Sequence, residues 1–459
     1  MPPSRFYFDL SKCLRHEATA PLYLFRYENL QTVAAQLVGA FYGLVVGLSQ
    51  LSSTNTEAQS GNPLPRLLHA DTARFGRVLR APEQYRVQII YTQINRDAQN
   101  RPHFRSYTYG GQNLRRYFYP ASTVKLPAAV LALEKLQNLR VQYPGLTRES
   151  PLRIDSAFAG QTRVDWDSTN ATLRPSIGNY IRKVLLVSDN DAYNRLYEFM
   201  GPGPLNAALQ ARGYRRVRLM HRLSVGDQEP GSRHTNPMVF FADSSLQMPV
   251  YQQRAGLFAG AWPQLKLQGE KIGRGYMQGD ELIQEPLDFS TKNYISLADL
   301  QGVLRAIMFP ESLPAKRRFQ LAAADYQFLQ RYLSMLPRQS RAPRYDSLEY
   351  PDNYAKFLLA GGPAGPLPPG VRIFNKIGQA YGFLIDNAYI MDEARGVEFL
   401  LSAVIYTNAD GILNDDQYEY DAIGFPFMRD LGQAVYQYEL KRPRRNRPDL
   451  SQFKEVQLK

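Results

Sequence analysis

At 459 residues, with 44% hydrophobic and 21% charged residues, the chain is long enough for a sizeable core and too apolar for wholesale disorder. Its net charge of +13 favours anionic surfaces in general without selecting one, and no nucleic-acid-binding motif accompanies the charge, so nucleic acid is set aside as a partner. A single cysteine, Cys13, excludes an internal disulfide, and five scattered histidines (His16, His69, His103, His221, His234) without H-x-x-x-H spacing give no metal site; no cofactor is expected.

No charged residue occurs between Glu28 and Glu57, and residues 32–48 inside that stretch are mainly apolar. Lys12, Arg15 and Arg26 precede them and Ser/Thr-rich sequence follows, which is the layout of a secretory signal. The stretch is also near the lower length limit for a membrane span; a buried core helix is the alternative. Residues 1–55 are therefore expected to be a leader with a signal or anchor, and the protein exported, periplasmic or envelope-attached. Cys13 lacks the preceding apolar residues of a lipid-modified cysteine.

Residues 56–84 read as a linker with a short helical lead-in. Residues 86–94, rich in β-branched and aromatic side chains, predict a strand; a polar turn and a second strand at 104–109 complete a hairpin. From about Ser122 the spacing of Leu126, Val130, Leu133 and Leu136 predicts a helix. Helical patterns follow at 176–199, interrupted at 188–190, and at 204–212, 297–308 and 319–336. Residues 243–292 have no period and read as an insertion, and 363–369 as a Gly/Pro loop. Three strands, 371–376, 383–391 and 397–406, and a helix at 427–440 complete the pattern. The order predicts an α/β chain of α+β type: one antiparallel sheet flanked by helices, with a helical lobe between its first hairpin and its last strands. Residues 85–440 form the expected catalytic domain, and 441–459 a basic polar tail. Its cluster Lys441-Arg442-Pro443-Arg444-Arg445-Asn446-Arg447 reads as solvated, the alternative being a tether to an anionic envelope polymer or membrane surface.

Three short motifs can carry chemistry. Ser122-Thr-Val-Lys125 places a hydroxyl and an amine on one face of a helix start, where a neutral amine can take the serine proton and the helix N-terminus favours developing negative charge. The spacing alone is weak, since Ser451-Gln-Phe-Lys454 repeats it in the polar tail. Ser188-Asp189-Asn190, between two helical patterns, can present a proton-relaying hydroxyl and a carbonyl-binding amide; as a bare triplet it serves as well for a helix cap. Lys376-Ile377-Gly378 places a lysine on a strand, with a glycine that lets a substrate approach the backbone. Lys271-Ile272-Gly273 repeats that pattern too, but only Lys376 is followed by two strands.

In this order the three motifs resemble the S-x-x-K, S-D-N and K-T-G set of the penicillin-recognising serine hydrolases, in particular the class A β-lactamase-like family. Met200-Gly-Pro after the S-D-N helix, Arg233-His-Thr-Asn-Pro237, and Tyr381-Gly382 after the lysine strand extend the resemblance over residues 85–240 and 293–437. The resemblance implies acylation of Ser122 with Lys125 as base, proton relay by Ser188, and substrate contacts from Asn190, Lys376 and Gly378. It also implies an oxyanion hole from the N–H groups of Ser122 and Gln379. Two departures stand out. Ser224 falls where the family's Ω-loop carries its deacylating glutamate, leaving Glu229 and Asp227 as the nearby carboxylates, and Ile377 replaces the hydroxyl of K-T-G. The expected function is serine hydrolysis of a β-lactam or related amide or ester, a small molecule or a peptide. The alternatives are a wall-peptide hydrolase or esterase, and a slowly deacylating penicillin-binding sensor.

Overall fold

In the computed structural model, which describes residues 61–110, 116–226 and 229–453, the apolar strands near both ends of the chain meet in one sheet. Strands β1 (Gln88–Arg96) and β2 (Pro102–Tyr109) form the expected hairpin; β3 (Val371–Ala380), β4 (Phe383–Asp392) and β5 (Val397–Tyr406) form a meander. The order is β3-β4-β5-β1-β2, antiparallel throughout, with β1 joined to β5 from Gln88 opposite Val404 to Gln93 opposite Phe399. β4 and β5 are buried along their whole length because both faces of the sheet are covered.

The helices are α1 (Pro63–His69), α2 (Thr72–Leu79), α3 (Lys125–Leu139), α4 (Ile177–Leu186), α5 (Asn190–Met200), α6 (Pro202–Ala211), α7 (Leu297–Met308), α8 (Ala323–Ser334) and α9 (Phe425–Lys441). Strand alternation sorts the core into two layers. Ile89, Tyr91, Leu384, Ile390 and Leu401 pack with Phe75 of α2 and Phe427, Leu431 and Val435 of α9. Ile90, Ile385, Tyr389, Leu400 and Val404 face the helical lobe, where Leu300, Val303 and Ile307 of α7 meet them. α3 is apolar nearly all round and runs through the middle of that lobe, with Leu126, Val130, Leu133 and Leu136 all buried.

The structure alters three expectations. The helix expected over 319–336 is the shorter α8, because Glu134 takes the Gln320 N–H before the helix begins. The 243–292 stretch, read as an insertion without a period, contains short strands that pair with the rest of the chain. Its strand Pro249–Gln253 extends a small sheet with Met238–Phe241 and Leu152–Ile154, and its strand Gly275–Gln278 runs parallel to Ile412–Leu413. Gly273 of the discarded repeat serves that junction: a Cβ there would lie 2.6 Å from Gly411 O. The expected solvated tail is instead docked as far as Phe453, the last described residue. Arg442 and Arg444 hold the buried Glu439 carboxylate, which also accepts from Tyr91, and Leu450 and Phe453 are buried in the core. A carboxylate withdrawn from water requires a paired charge and hydrogen bonds, which these two arginines and Tyr91 supply. The leader's apolar stretch lies outside the described residues; among those described, no helix is long and apolar enough to cross a membrane.

Candidate active site

Ser122 sits in a 3-10 turn, Ala121–Val124, that runs directly into α3. With three residues per turn, positions i and i+3 eclipse, so Ser122 and Lys125 share one side. The turn is entered through Ala121 at φ +46° and fastened by the Thr123 hydroxyl donating to Pro120 O at 2.6 Å. Gly378 backs it. A Cβ on Gly378 would lie 2.7 Å from Pro120 O and 3.2 Å from the Ala121 Cβ. The glycine thus admits the Ser122 turn, and it is absent from the cleft lining.

Lys125 is buried behind Ser122, and its Nζ donates to Asn190 Oδ1 at 2.6 Å, to Ser188 Oγ at 3.3 Å and to the Ser188 carbonyl. Lys376 on β3 is also buried and donates to Ser188 Oγ at 2.7 Å and to Ile377 O at 3.0 Å. The Ser188 hydroxyl therefore lies between two lysines. Its residue is held at φ +62°, a strained conformation that places it there. Asp189 caps α5 by accepting from Ala192 N at 2.8 Å, so Asn190 begins the helix and its side chain turns to Lys125. The triplet thus caps a helix and faces the site at once. Burial lowers Lys125 to about 7, opposed by the nearby Asp189 carboxylate. Burial, and then the neighbouring Lys125, push Lys376 well below the usual lysine range, against the pull of Asp386.

Ser122, Ser188, Asn190 and Gln379 line one cleft of about 880 Å³. No hydrogen bond among the described residues engages Ser122 Oγ, and Gln379 is exposed on β3. Across the cleft mouth, Ser224 Oγ accepts from Asn190 Nδ2 at 2.7 Å. Glu229 is engaged elsewhere: its carboxylate accepts from Arg233 at 2.9 Å and Trp262 at 2.5 Å and is absent from the cleft lining. These two donors, Arg233 first, hold the Glu229 carboxyl below its usual range. Asp227 lies outside the described residues. No group of three His, Cys, Asp or Glu able to hold a metal occurs among the described residues.

Two walls of the cleft have no counterpart in the motif reading. One is the segment around Asn353 and Phe357, tied down by Asp386, whose carboxylate accepts from Phe357 N at 3.1 Å and Leu358 N at 3.0 Å. The other is the 414–420 loop with Asp416, Tyr418 and Tyr420. The one sequence signal for the latter is the density of Asp and Tyr between the last strand and the last helix, where loops carry function.

Residues 84–248 match the sequence model of a family described as the beta-lactamase enzyme family. The match takes in the Ser122 turn, Lys125, the Ser188-Asp189-Asn190 segment and Ser224, and ends well before Lys376. No curated protein matches the chain. Among solved structures, a beta-lactamase from Sphaerobacter thermophilus DSM 20745 is 13% identical, with a TM-score of 0.41, over 80% of this chain and 96% of its own. A beta lactamase from Xanthomonas campestris pv. campestris str. ATCC 33913 is 16% identical, with a TM-score of 0.41, over 81% and 98%. A PBP-A mutant, in an acyl-enzyme complex with penicillin G, is 16% identical, with a TM-score of 0.42, over 82% and 96%. The likeness to the beta-lactamase family is thus carried in sequence by the part of the chain that bears Ser122 and Lys125.

Proposed function

We propose that the protein is a serine hydrolase of the class A β-lactamase-like type, cleaving an amide or ester through an acyl-enzyme on Ser122. The observation that carries this reading is the Ser188 hydroxyl held between the Nζ atoms of Lys125 and Lys376 beside Ser122 at the head of one cleft. The family match over residues 84–248 supports it.

The chemistry follows from the lowered lysines. A neutral Lys125 Nζ takes the proton of Ser122 Oγ as the oxygen attacks the substrate carbonyl carbon. The carbonyl oxygen becomes an oxyanion beside the backbone N–H groups of Ser122 and Gln379. As the C–N or C–O bond breaks, the proton passes from Lys125 through Ser188 Oγ to the leaving atom, and the acyl group stays on Ser122. Apo geometry need not show the Ser122–Lys125 hydrogen bond, which tightens when substrate binds.

Release is the weaker half. Ser224, a neutral hydroxyl, faces Asn190 in place of a carboxylate able to activate water. This favours a long-lived acyl-enzyme with β-lactams over efficient turnover. The test is labelling with a fluorescent penicillin and a fluorophosphonate, read by gel and intact mass. Stoichiometric fluorophosphonate label on the wild type and none on Ser122→Ala is expected, with the penicillin, which carries a carboxylate, the slower of the two probes. Label persisting on Ser122→Ala overturns the nucleophile, and absence of label by both probes on folded wild type overturns the function.

A further inference from the structure

The net charge of +13 does not extend into the cleft. Among the described residues lining it, none is Lys, Arg or Glu, and the one formally charged side chain is Asp416, exposed and without a hydrogen-bonding partner among them. Its neighbours Asp410 and Asp415 are spent on the loop itself, accepting from Ile412 N at 2.9 Å and Gln417 N at 3.1 Å. The two lysines of the site lie buried behind Ser188 and face its hydroxyl. Ile377, 7% exposed, supplies an apolar surface on the strand that carries Lys376.

Beside Asp416 runs a continuous aromatic wall. Tyr418 and Tyr420 have ring centroids 5.4 Å apart, Tyr420 and Phe425 6.4 Å, and Phe425 and Phe357 5.0 Å. The two tyrosines are fixed from behind: the Tyr418 hydroxyl accepts from Asn414 N at 2.9 Å and the Tyr420 hydroxyl from Gly382 N at 2.8 Å. Aromatic rings held in place beside a carboxylate with no partner among the described residues are the chemistry that recognises an organic cation, through the quadrupole of the rings and the charge of the acid. The same surface opposes a carboxylate, which would meet Asp416 with no cation among the described residues that line the cleft.

We infer that the substrate of the Ser122 site is an ester or amide that carries a protonated amine or alkylammonium group, received by Asp416 and the Tyr418–Tyr420–Phe425 wall, and no carboxylate at that end. The inference rests on the serine-hydrolase reading above. It separates this cleft from one built to hold the carboxylate of a penicillin.

The test uses matched 4-nitrophenyl esters whose acyl chains end in trimethylammonium, its neutral isostere tert-butyl, or carboxylate. Acylation of Ser122 is followed by the nitrophenol burst and intact mass, so slow deacylation does not obscure it. The trimethylammonium ester is expected to acylate about tenfold faster than the tert-butyl ester, and the carboxylate ester slowest. Asp416→Asn and Tyr418→Leu should each shrink the trimethylammonium-to-tert-butyl ratio several-fold, and Asp416→Lys should reverse the order of the charged pair. Added salt should shrink the same ratio. Equal or faster acylation by the carboxylate ester, or a ratio unmoved by Asp416→Asn, overturns the inference. If Ser122 takes a fluorophosphonate but none of the esters, the substrate class alone is overturned; if it takes neither, the hydrolase reading falls with it.

Discussion

A lysine enclosed by protein is penalised for remaining charged, and Lys125 is lowered to about 7 on that account. On the proposed mechanism the working form is the neutral amine, which predominates above that pH. Acylation of Ser122 should therefore rise with pH through about 7 and level off above it, as measured by the labelling rate between pH 5 and 9. Lys125→Arg should retain the positive charge but cannot release it, and should lower that rate roughly a thousandfold or more. The contact of Asn190 with Ser224 makes the second prediction. Ser224→Glu brings a carboxylate to the acyl group and should shorten the acyl-enzyme half-life roughly tenfold or more, by mass spectrometry. Glu229→Gln should leave that half-life unaltered, since Glu229 is committed to Arg233 and Trp262. Ser122 with Lys125, and Ser188 with Asn190, were legible because each pair is local: one turn or one helix start fixes the geometry. Lys376 was legible only through its neighbouring strands. Asp416 and the Tyr418–Tyr420 pair were not, because no period or motif marks a loop whose residues face a cleft built by distant elements.

The meeting of β3 with the Ser122 turn depends on the absence of a side chain at Gly378. Gly378→Ala should push against Pro120 O and displace the turn, cutting the labelling rate roughly tenfold or more while costing about 1–3 kcal/mol of stability. The measurements are labelling kinetics and thermal denaturation on one preparation. Asp386 makes an analogous link between β4 and the cleft wall near Phe357, through two backbone N–H groups and the Asn375 side chain. Asp386→Ala leaves those donors and the buried Lys356 without their carboxylate. It should destabilise by about 3–5 kcal/mol, seen as a lower denaturation midpoint. Elements with a strong period appear as the sequence implies: α7 spans Leu297–Met308 and β5 spans Val397–Tyr406. The wall around Asn353 had no such signature. It is fixed by single anchors, as where the Asn353 amide donates to Ala360 O at 2.9 Å and Pro363 O at 2.9 Å, and such anchors leave no repeat in the sequence.

At the scale of the molecule, the C-terminal arginines are structural. Truncation after Lys441 would strip Glu439 of Arg442 and Arg444 and remove Leu450 and Phe453 from the core. It should lower Tm by about 5 °C or more, whereas a free tail would leave Tm unmoved. Charge counts alone misled here, because a basic run reads the same whether its partners are solvent or a buried acid, here Glu439 three and five residues back. The closure of the sheet by β1 against β5 also governs timing. Tyr91 and Glu439, which meet in the core beneath it, stand 348 positions apart. During synthesis the serine leaves the ribosome long before the strand that backs it and supplies the second lysine exists. Contacts of such range form late. On the proposed mechanism, a nascent or severed chain therefore carries Ser122 unassembled, and reactivity would arrive only with the last strands, as a consequence of the order in which the fold is made.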